Sequence, residues 1–396
     1  MKIAFFSDNF YPELSGISDS IILLAKGLEK RGHEVYFFVP YYSPKDFEKS
    51  SLPPKEIDLG EKIKIRRLFS LPFPTPTEQG RLVIPTVLPW IALQKWNPDI
   101  IHTQLFFGAG VSALLSAKGL KIPLVGTNHT VVTEFVRYSP IKADWMGNLS
   151  SKYTTWYYNR CDFVTAPSQS VIQEMKYYGL RRPSEVISNP IDTEIFTPQQ
   201  MNRSEVKKKF GLSNNTLVYA GRLAAEKNID VMLQAVALVK KEIPNITLAL
   251  AGRGVATAEL KGLAKKFQIE DSVKFLGPLS KPQLAQVFSA SEVFVITSRS
   301  ETQSLTLMQA MAVGLPALGV KAWALPEYIN EKNGFLVEAN DYQSLAQKIV
   351  ALMQNPGLRK QMGREAWRFV QNFSTLHIAK KWETLYKQVK SKRSLQ

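Results

Sequence analysis

Residues 293–316 read VFVITSRSETQSLTLMQAMAVGLP, an apolar run followed by a polar loop and a second apolar segment. Val293–Ile296 is apolar and rich in β-branched residues, which predicts a buried strand. Leu305–Ala312 consists largely of helix formers, and Gly314 and Pro316 end the helix that it predicts. A strand, a loop and a helix in this order form the repeating unit of parallel α/β sheets.

The loop of this stretch contains a carboxylate, Glu301, shortly before the helix begins. A helix N-terminus presents backbone N–H groups and the positive end of the helix dipole to its surroundings. Such a place suits an anionic or hydroxyl-rich ligand, for example a nucleoside diphosphate that carries a sugar. The alternative is an ordinary strand-to-helix turn that binds nothing.

The same alternation of apolar strands and helices runs through the whole chain in two blocks. Near-continuous apolar strands spaced by helices predict parallel sheets covered on both faces, so we expect an α/β protein with two doubly wound Rossmann-like domains. The blocks change near Asn189-Pro190. The predicted domains are residues 1–190 and residues 191–374, and a last helix is predicted within residues 375–396.

Composition narrows the possible partners. A length of 396 residues favours two domains. The net charge of +16 suits a phosphorylated ligand, an anionic lipid surface or nucleic acid as partner. The alternative is an ordinary solvated surface without such a partner. No nucleic-acid-binding motif is present, so we expect no nucleic-acid partner. One cysteine and four scattered histidines predict neither disulfide nor metal site, and no apolar run is long enough to span a membrane. The expected compartment is the cytoplasm.

Two further strand ends of the second block carry cations or glycines. Arg222 follows a predicted strand that ends at Gly221, and Lys227 comes five residues later, near the next helix. A guanidinium and an ammonium at such a place suit the oxygens of a diphosphate. Gly252 and Gly254 follow the next strand, as in a loop that faces a nucleotide.

The first block offers weaker signals. Its first strand is followed by a turn-rich loop with Ser15 and Gly16, which lets the backbone approach a ligand but is also typical of a plain turn. His129 follows another strand and suits a sugar or phosphate oxygen; the alternative is a packing or capping role.

At these residues the chain resembles the retaining glycosyltransferases of family 4, which have the two-domain GT-B fold with a central cleft. The resemblance covers nearly the whole chain and is carried by SDNFYPELSGIS, RGHEV, PDIIHTQ, SNPID, GRLAAEKN and the segment from Glu301. ETQSLTLMQAM and HTVVTEFVRYSP look most similar to diacylglycerol glucosyltransferases and related lipid-linked hexosyltransferases. The resemblance implies a nucleotide-sugar co-substrate (a UDP- or GDP-hexose), no required cofactor or metal, and a last helix that returns to the first domain.

The resemblance also implies roles for single residues. Arg222 and Lys227 would hold the donor diphosphate, Glu301 the hydroxyls of the donor sugar, and His129 would face the transferred sugar; these four are the expected catalytic residues. The expected donor-binding residues are Ser15, Gly16, Gly221, Gly254, Thr302, Gln303, Ser304, Leu305 and Gln309.

Three positions depart from the family pattern. Gln309 stands where the family has the second glutamate of its E-x7-E motif, which removes a charge near the donor ribose but keeps an acceptor oxygen. The paired glycines of the first loop are Ser15-Gly16, and the family's His-x-His is His102-Thr103-Gln104. None of these changes removes Arg222, Lys227 or Glu301.

The expected function is therefore transfer of a hexose, such as glucose or mannose, to a lipid-linked or glycan acceptor, with diacylglycerol as one possibility. The aromatic and basic stretch 137–160 and the tail KQVKSKR indicate contact with an anionic inner membrane surface, although core packing also explains the aromatic residues. Two alternatives remain: a GT-B-like epimerase of nucleotide sugars, and a catalytically weak carbohydrate-binding relative.

Overall fold

The computed structural model describes residues 1–13, 15–50, 52–73, 80–130, 144–198 and 201–394, without the side chains of residues 144–146 and 394. The chain divides into two compact units. Met1–Pro190 and Thr375–Gln396 form unit 1, and Ile191–Ser374 forms unit 2. Each unit is built on one parallel sheet with helices around it, which confirms the predicted class of two doubly wound α/β units.

Unit 1 contains a seven-stranded parallel sheet in the order β3-β2-β1-β6-β7-β8-β9. The strand residues are mostly fully buried, which explains why the sequence shows near-continuous apolar runs rather than alternation. The strands of the unit, including a separate pair, are β1 Lys2–Phe6, β2 Glu34–Pro40, β3 Ile63–Leu68, β4 Ser70–Pro72, β5 Arg81–Val83, β6 Ile100–Thr103, β7 Leu124–Thr127, β8 Phe163–Ala166 and β9 Ser184–Val186.

The described helices of unit 1 include one from the far end of the chain. A Cβ atom at Gly27 would lie 2.9 Å from both Thr375 and Ala379, so the last helix packs closely on the first. The helices are α1 Gly16–Lys30, α2 Pro44–Lys49, α3 Leu88–Trp96, α4 Gly108–Leu120, α5 Asp144–Tyr158, α6 Gln169–Tyr177 and, as numbered below, α15 Thr375–Ser394.

Unit 2 contains a six-stranded parallel sheet in the order β12-β11-β10-β13-β14-β15. Its strands are β10 Asn215–Ala220, β11 Ile246–Ala251, β12 Val273–Gly277, β13 Val293–Ile296, β14 Ala317–Val320 and β15 Gly334–Val337. Its helices are α7 Arg203–Phe210, α8 Ile229–Glu242, α9 Thr257–Lys266, α10 Lys281–Ala290, α11 Leu305–Ala312, α12 Leu325–Tyr328, α13 Tyr342–Gln354 and α14 Pro356–Val370.

Each sheet has a point at which the strand order changes direction. In unit 1 it lies between β1 and β6, and in unit 2 it lies between β10 and β13. The helices that follow neighbouring strands at such a point cover opposite faces, so a crevice opens beyond the carboxyl ends of the strands. The sheet topology therefore selects the loops after β1, β6, β10 and β13 as the places to look for a site.

Among the described residues, no helix is both long enough and apolar enough to span a membrane.

Candidate functional site

The strongest feature of unit 2 is an ion pair at its crevice. Lys227 Nζ lies 2.6 Å from Glu301 Oε1, and both side chains are largely buried. Burial alone would raise the pKa of Glu301, but the ammonium of Lys227, its hydrogen bond and the Ser298 hydroxyl together lower it. Glu301 is therefore ionised at neutral pH, and the two residues for which the resemblance implies contacts with diphosphate and sugar lie side by side.

Backbone contacts fix the position of this ion pair. The Thr297 hydroxyl donates to the carbonyls of Lys227 and Asn228, at 3.0 and 2.8 Å. Asn228 adopts a left-handed conformation with φ of 49°, which turns the chain from a short 3-10 segment into α8. The Glu301 carbonyl accepts from the Ala324 N–H at 3.2 Å. The Thr297 bonds tie the loops after β10 and β13 to each other, and the Ala324 bond ties the loop after β13 to the loop after β14.

The second cation has its own carboxylate. Arg222 Nη2 donates to Glu226 Oε1 at 2.8 Å, with Arg222 about one-third exposed and Glu226 7% exposed. The Tyr219 hydroxyl donates to the Arg222 carbonyl at 3.1 Å. Burial, and then the carboxylates of Glu301 and Glu226, raise the pKa of Tyr219 well above its usual value. No motif in the sequence singled out Glu226 as a partner of Arg222.

Glycines allow the loops of this site to pack closely. A Cβ atom at Gly252 would lie 1.9 Å from the Gly221 carbonyl oxygen, and one at Gly254 would lie 2.1 Å from the Leu223 carbonyl oxygen. Gly252 also has a φ of +141°, which side chains disfavour. Gly254, predicted to face the nucleotide, thus supports the loop that carries Arg222; a nucleotide contact stays a prediction.

The helix after Glu301 begins as predicted. Thr302 and Gln303 lie in the loop, Ser304 is the N-cap of α11 and accepts from the Leu307 N–H at 3.3 Å, and Leu305 is the first helical residue. The Thr306 hydroxyl donates to the Ala220 carbonyl at 2.8 Å, which connects this helix to the end of β10.

Gln309 lies one turn further along α11 and is only 7% exposed. Its placement in the same helix as the cap is compatible with the expected contact to a donor, which stays a prediction.

In unit 1, His129 belongs to a buried polar chain. His129 Nε2 lies 2.7 Å from Gln104 Oε1, and Gln104 Nε2 lies 3.2 and 3.1 Å from the two ring nitrogens of His102. His102 Nδ1 lies 2.7 Å from the Tyr386 hydroxyl, and His102 Nε2 lies 2.7 Å from Thr127 Oγ1. The chain thus connects α15 to the loop after β7.

His102 and His129, the two histidines of this buried polar chain, are both uncharged at neutral pH. Burial lowers the pKa of His129 to about 4, and burial followed by the neighbouring His129 lowers the pKa of His102 well below its usual value. His129 is therefore a neutral hydrogen-bonding group rather than a source of positive charge. Gln104, one of the departures from the family pattern, bridges the two imidazoles: its amide oxygen accepts from His129, and its amide nitrogen donates to His102.

A carboxylate that the sequence analysis did not assign lies after β1. Asp8 is 6% exposed, and its Oδ1 accepts from the Ala109 N–H at 2.7 Å, at the start of α4. Burial raises the pKa of Asp8 to about 6, against the opposing effect of the N–H groups of Ala109, Gly110 and Phe107. Within the described residues, Asp8 Oδ2 has no hydrogen-bond partner. A polar residue directly after a strand at the change of strand order was the signal available in the sequence.

Ser15 is the N-cap of α1, and its hydroxyl accepts from the N–H groups of Ile17 and Ser18 at 3.2 and 3.4 Å. Gly16 is the first residue of this helix. Their local role is helix capping, and their contact with a donor stays a prediction.

The predicted membrane stretch is only partly described. Arg137 and Lys142 lie outside the described residues, as does the side chain of Trp145. Tyr153 and Trp156 are exposed, whereas Tyr157 and Tyr158 are fully buried, so core packing is the explanation for the latter two. In the tail, Lys390 pairs with Asp99 and Arg393 with Asp162, so acidic side chains at the surface of unit 1 balance these two charges.

No cluster of three or more His, Cys, Asp or Glu side chains suited to a metal ion occurs in the described part of the chain.

Two family models match the chain. Residues 14–195 match the one described as Glycosyltransferase Family 4, and residues 201–369 match the one described as Glycosyl transferases group 1. The chain belongs to glycosyltransferase family 4. The earlier resemblance is thereby confirmed, and the chain is a glycosyltransferase.

Two similar relatives carry the same description. The alpha-monoglucosyldiacylglycerol synthase of Streptococcus pneumoniae is 28% identical over 366 residues, which cover 91% of this chain and 80% of the relative. The protein of that name from Acholeplasma laidlawii is 26% identical over 400 residues, 98% of this chain and 96% of the relative.

A solved structure shows the fold. Anabaena Alr3699/HepE in complex with UDP matches with a TM-score of 0.76 and 20% identity, over 98% of this chain and 100% of that one. The fold is the GT-B fold of glycosyltransferases.

Proposed function

We propose that this chain is a retaining glycosyltransferase that moves a hexose from a nucleotide sugar to a lipid acceptor of the diacylglycerol class. The observation that carries the proposal is the Lys227–Glu301 ion pair at the crevice of unit 2, with Arg222 oriented beside it by Glu226. Two cations suit a diphosphate, and an ionised carboxylate suits sugar hydroxyls, so these residues offer partners to the diphosphate and to the sugar of such a donor.

In the proposed reaction, the bond between C1 of the hexose and the diphosphate oxygen breaks while the acceptor hydroxyl oxygen forms a bond to C1 on the same face. The diphosphate leaves with the bonding electron pair and takes the proton of the acceptor hydroxyl. Arg222 and Lys227 stabilise the negative charge that develops on the diphosphate, so catalysis consists of positioning and charge stabilisation. The reaction requires no protein nucleophile.

We also propose donor contacts for the remaining residues, as the family resemblance implies. The backbone N–H groups of residues 302–305 lie at the start of α11, where a helix N-terminus favours negative charge. Gln309 offers an amide to the ribose hydroxyls, and His129 offers a neutral imidazole to the hexose. Gly221 and Gly254 shape the loop that carries Arg222, and Ser15 and Gly16 begin α1.

The acceptor is proposed from the relatives. Two of them are described as alpha-monoglucosyldiacylglycerol synthases and align with at least 91% of this chain. UDP is the nucleotide in the HepE structure, so a UDP-hexose is our first choice of donor and a GDP-hexose the second. We propose that the protein acts in the cytoplasm on the inner membrane surface, where such an acceptor resides.

The test is product analysis. The full-length protein is incubated with labelled UDP-glucose, UDP-galactose or GDP-mannose and with detergent-dispersed diacylglycerol, and the product is examined by NMR. We expect a glycolipid in which the hexose keeps the α configuration of the donor. A β-linked product would contradict the retaining mechanism.

The same assay separates the alternatives. Isomerisation of the donor without transfer would indicate an epimerase, and donor binding without turnover would indicate a carbohydrate-binding relative. Transfer to a soluble sugar but never to lipid would support the proposed transferase activity and contradict the proposed lipid acceptor.

A further inference from the structure

A two-stranded ribbon in unit 1 has an apolar face that points outward. Strands β4 and β5 pair with each other and lie outside the seven-stranded sheet. Along the first arm, Phe69, Leu71 and Phe73 alternate with the buried Ser70, so they share one face. Phe69 is 64% exposed and Phe73 is 53% exposed. This is the reverse of the usual pattern, in which apolar side chains face the core.

The second arm adds to this face. Leu82 is paired with Leu71 across the ribbon and is also exposed, whereas Val83 is buried. Val83 packs on the start of α4, because a Cβ atom at Gly108 would lie 1.8 Å from its carbonyl oxygen. The inner side of the ribbon is thus anchored on the unit, and fold stability does not explain four exposed apolar side chains on its outer side.

The segment after β5 continues the exposed apolar surface. Val87, Leu88 and Ile91 at the start of α3 are all exposed, and Val87 is 69% exposed. Trp90 of the same turn lies against α4, since a Cβ atom at Gly119 would be 2.9 Å from its Nε1. We call the outer face of the ribbon together with the start of α3 the ribbon–α3 surface.

The charged residues around the ribbon–α3 surface indicate which kind of partner it binds. Within residues 80–130 the exposed basic residues are Lys95, Lys118 and Lys121, and the one acidic residue, Asp99, is paired with Lys390. Lys95 is exposed one turn beyond Ile91, and Lys118 is exposed beside Gly119, near Trp90. Exposed aromatic and aliphatic side chains bordered by lysines match a bilayer surface, where apolar groups enter the headgroup region and lysines meet anionic lipids.

We propose that the ribbon–α3 surface docks on an anionic lipid bilayer. The inference deepens the proposed function, on which it rests for its biological purpose, because it specifies where the chain meets the membrane that holds a lipid acceptor. It also moves the main contact from the predicted stretch 137–160 and the basic tail to the ribbon.

The test measures binding to vesicles without any reaction. The full-length protein is sedimented with vesicles of phosphatidylglycerol and phosphatidylcholine or of phosphatidylcholine alone, at low and high salt. We expect binding to the mixed vesicles that weakens with salt and that falls about tenfold or more in the variant Phe69→Ser/Leu71→Ser/Phe73→Ser, since three apolar contacts are lost. The control Tyr177→Ser/Leu376→Ser, also at exposed positions, should bind as the wild type does.

A second readout locates the contact. Brominated lipids in the mixed vesicles should quench part of the tryptophan fluorescence, and this part should shrink in Trp90→Phe. Circular dichroism shows whether each variant is folded. If the triple variant is misfolded, the single variants Leu82→Ser and Ile91→Ser replace it, and we expect each to lose less vesicle binding than the triple variant would.

Wild-type vesicle binding by the folded ribbon variants would overturn the proposal. Unchanged vesicle binding together with a changed oligomeric state would instead assign the surface to a protein partner. Vesicle binding without glycolipid synthesis would leave the docking surface intact and refute the proposed acceptor, so the two claims fail separately.

Discussion

At the scale of single residues, the candidate site keeps its charges in pairs. Glu301 forms an ion pair with Lys227, and Glu226 forms one with Arg222. In the largely buried Lys227–Glu301 pair, removal of one partner leaves an uncompensated charge, which costs about 3–5 kcal/mol. The carboxylates therefore both neutralise and orient the cations before a donor arrives, and Glu226 is a positioning residue that the sequence motif did not reveal.

Gln104 offers a test of the buried polar chain in unit 1. Gln104→Leu removes the oxygen that lies 2.7 Å from His129 Nε2. We expect kcat to fall by roughly tenfold with a smaller change in the donor KM, because a misoriented imidazole loses a contact that matters in the transition state. The ¹⁵N resonances of the His129 ring should shift because the hydrogen bond is lost, and the fall in kcat at a nearly constant donor KM distinguishes positioning from a merely structural role. Gln388→Leu, at an exposed position, is the control. Unchanged kcat and unchanged ring resonances would refute the positioning role.

Asp8 makes the stability of the protein depend on pH in a predictable direction. Its folded-state pKa of about 6 lies above the ordinary value of 3.8, so its contribution to stability is complete below about pH 4 and is lost as the pH rises through 6. The difference between a pKa of about 6 and the ordinary value of 3.8 corresponds to roughly 3 kcal/mol.

Asp8→Asn replaces the carboxylate by a neutral group that still accepts from the Ala109 N–H. Urea unfolding at pH 8 should show a gain in the free energy of unfolding of up to about 3 kcal/mol, and the gain should disappear near pH 4. An equal effect at both pH values would show that ionisation of Asp8 is not its cause.

At the scale of elements, close loop packing shapes the site of unit 2. Gly254→Ala places a methyl group 2.1 Å from the Leu223 carbonyl oxygen, so the loop that carries Arg222 must shift. We expect destabilisation of about 1–3 kcal/mol and weaker donor binding, measured by urea unfolding and calorimetry. In the control Gly262→Ala, the added methyl group meets nothing within 4 Å, and helix propensity predicts a gain of up to about 1 kcal/mol. Equal effects of the two substitutions would contradict this account of Gly254.

The elements also show what the sequence could predict. The strands β10 and β13 and the helix α11 were predictable because apolar runs, turn residues and helix formers lie next to one another in the chain. The ion pairs around Lys227 and Arg222 were visible only as residue types at strand ends. The ribbon β4–β5 and the short α2 were not predicted, since three-residue strands and a six-residue helix carry too little periodicity.

The link between Gln104 and His129 was beyond sequence reasoning for another reason. The two residues are 25 positions apart and meet only because β6 and β7 are neighbours in the sheet. The exposure of the apolar side chains in residues 69–73 could not be predicted either. Their alternation with other residues predicts that they share one face of a strand, but not that this face points to solvent. The aromatic pair Tyr157 and Tyr158 shows the converse, because apolar rings that suggested a membrane contact are core residues.

At the scale of the whole molecule, the last helix completes unit 1. Tyr386 on α15 is fully buried and bonds His102 Nδ1 at 2.7 Å, while α15 packs on Gly27 of α1. Tyr386→Phe should lower the free energy of unfolding by about 1–3 kcal/mol, because a buried nitrogen loses its partner. Hydrogen exchange should accelerate in β6 and α15 more than in unit 2. Tyr177→Phe, at an exposed position, should change neither quantity, and wild-type exchange in Tyr386→Phe would contradict the role of the helix.

We propose above all that the crevice of unit 2 binds the diphosphate of a nucleotide sugar through Arg222 and Lys227. Calorimetric titration of the full-length protein with UDP and GDP tests it most directly, in the wild type, in Arg222→Ala, in Lys227→Ala and in the exposed-position control Lys208→Ala. We predict that one of the two nucleotides binds, that each of the first two variants weakens its binding at least about tenfold through loss of a charge-assisted contact, and that the control binds normally. Wild-type affinity in both Arg222→Ala and Lys227→Ala, or the same loss in Lys208→Ala, would contradict the claim.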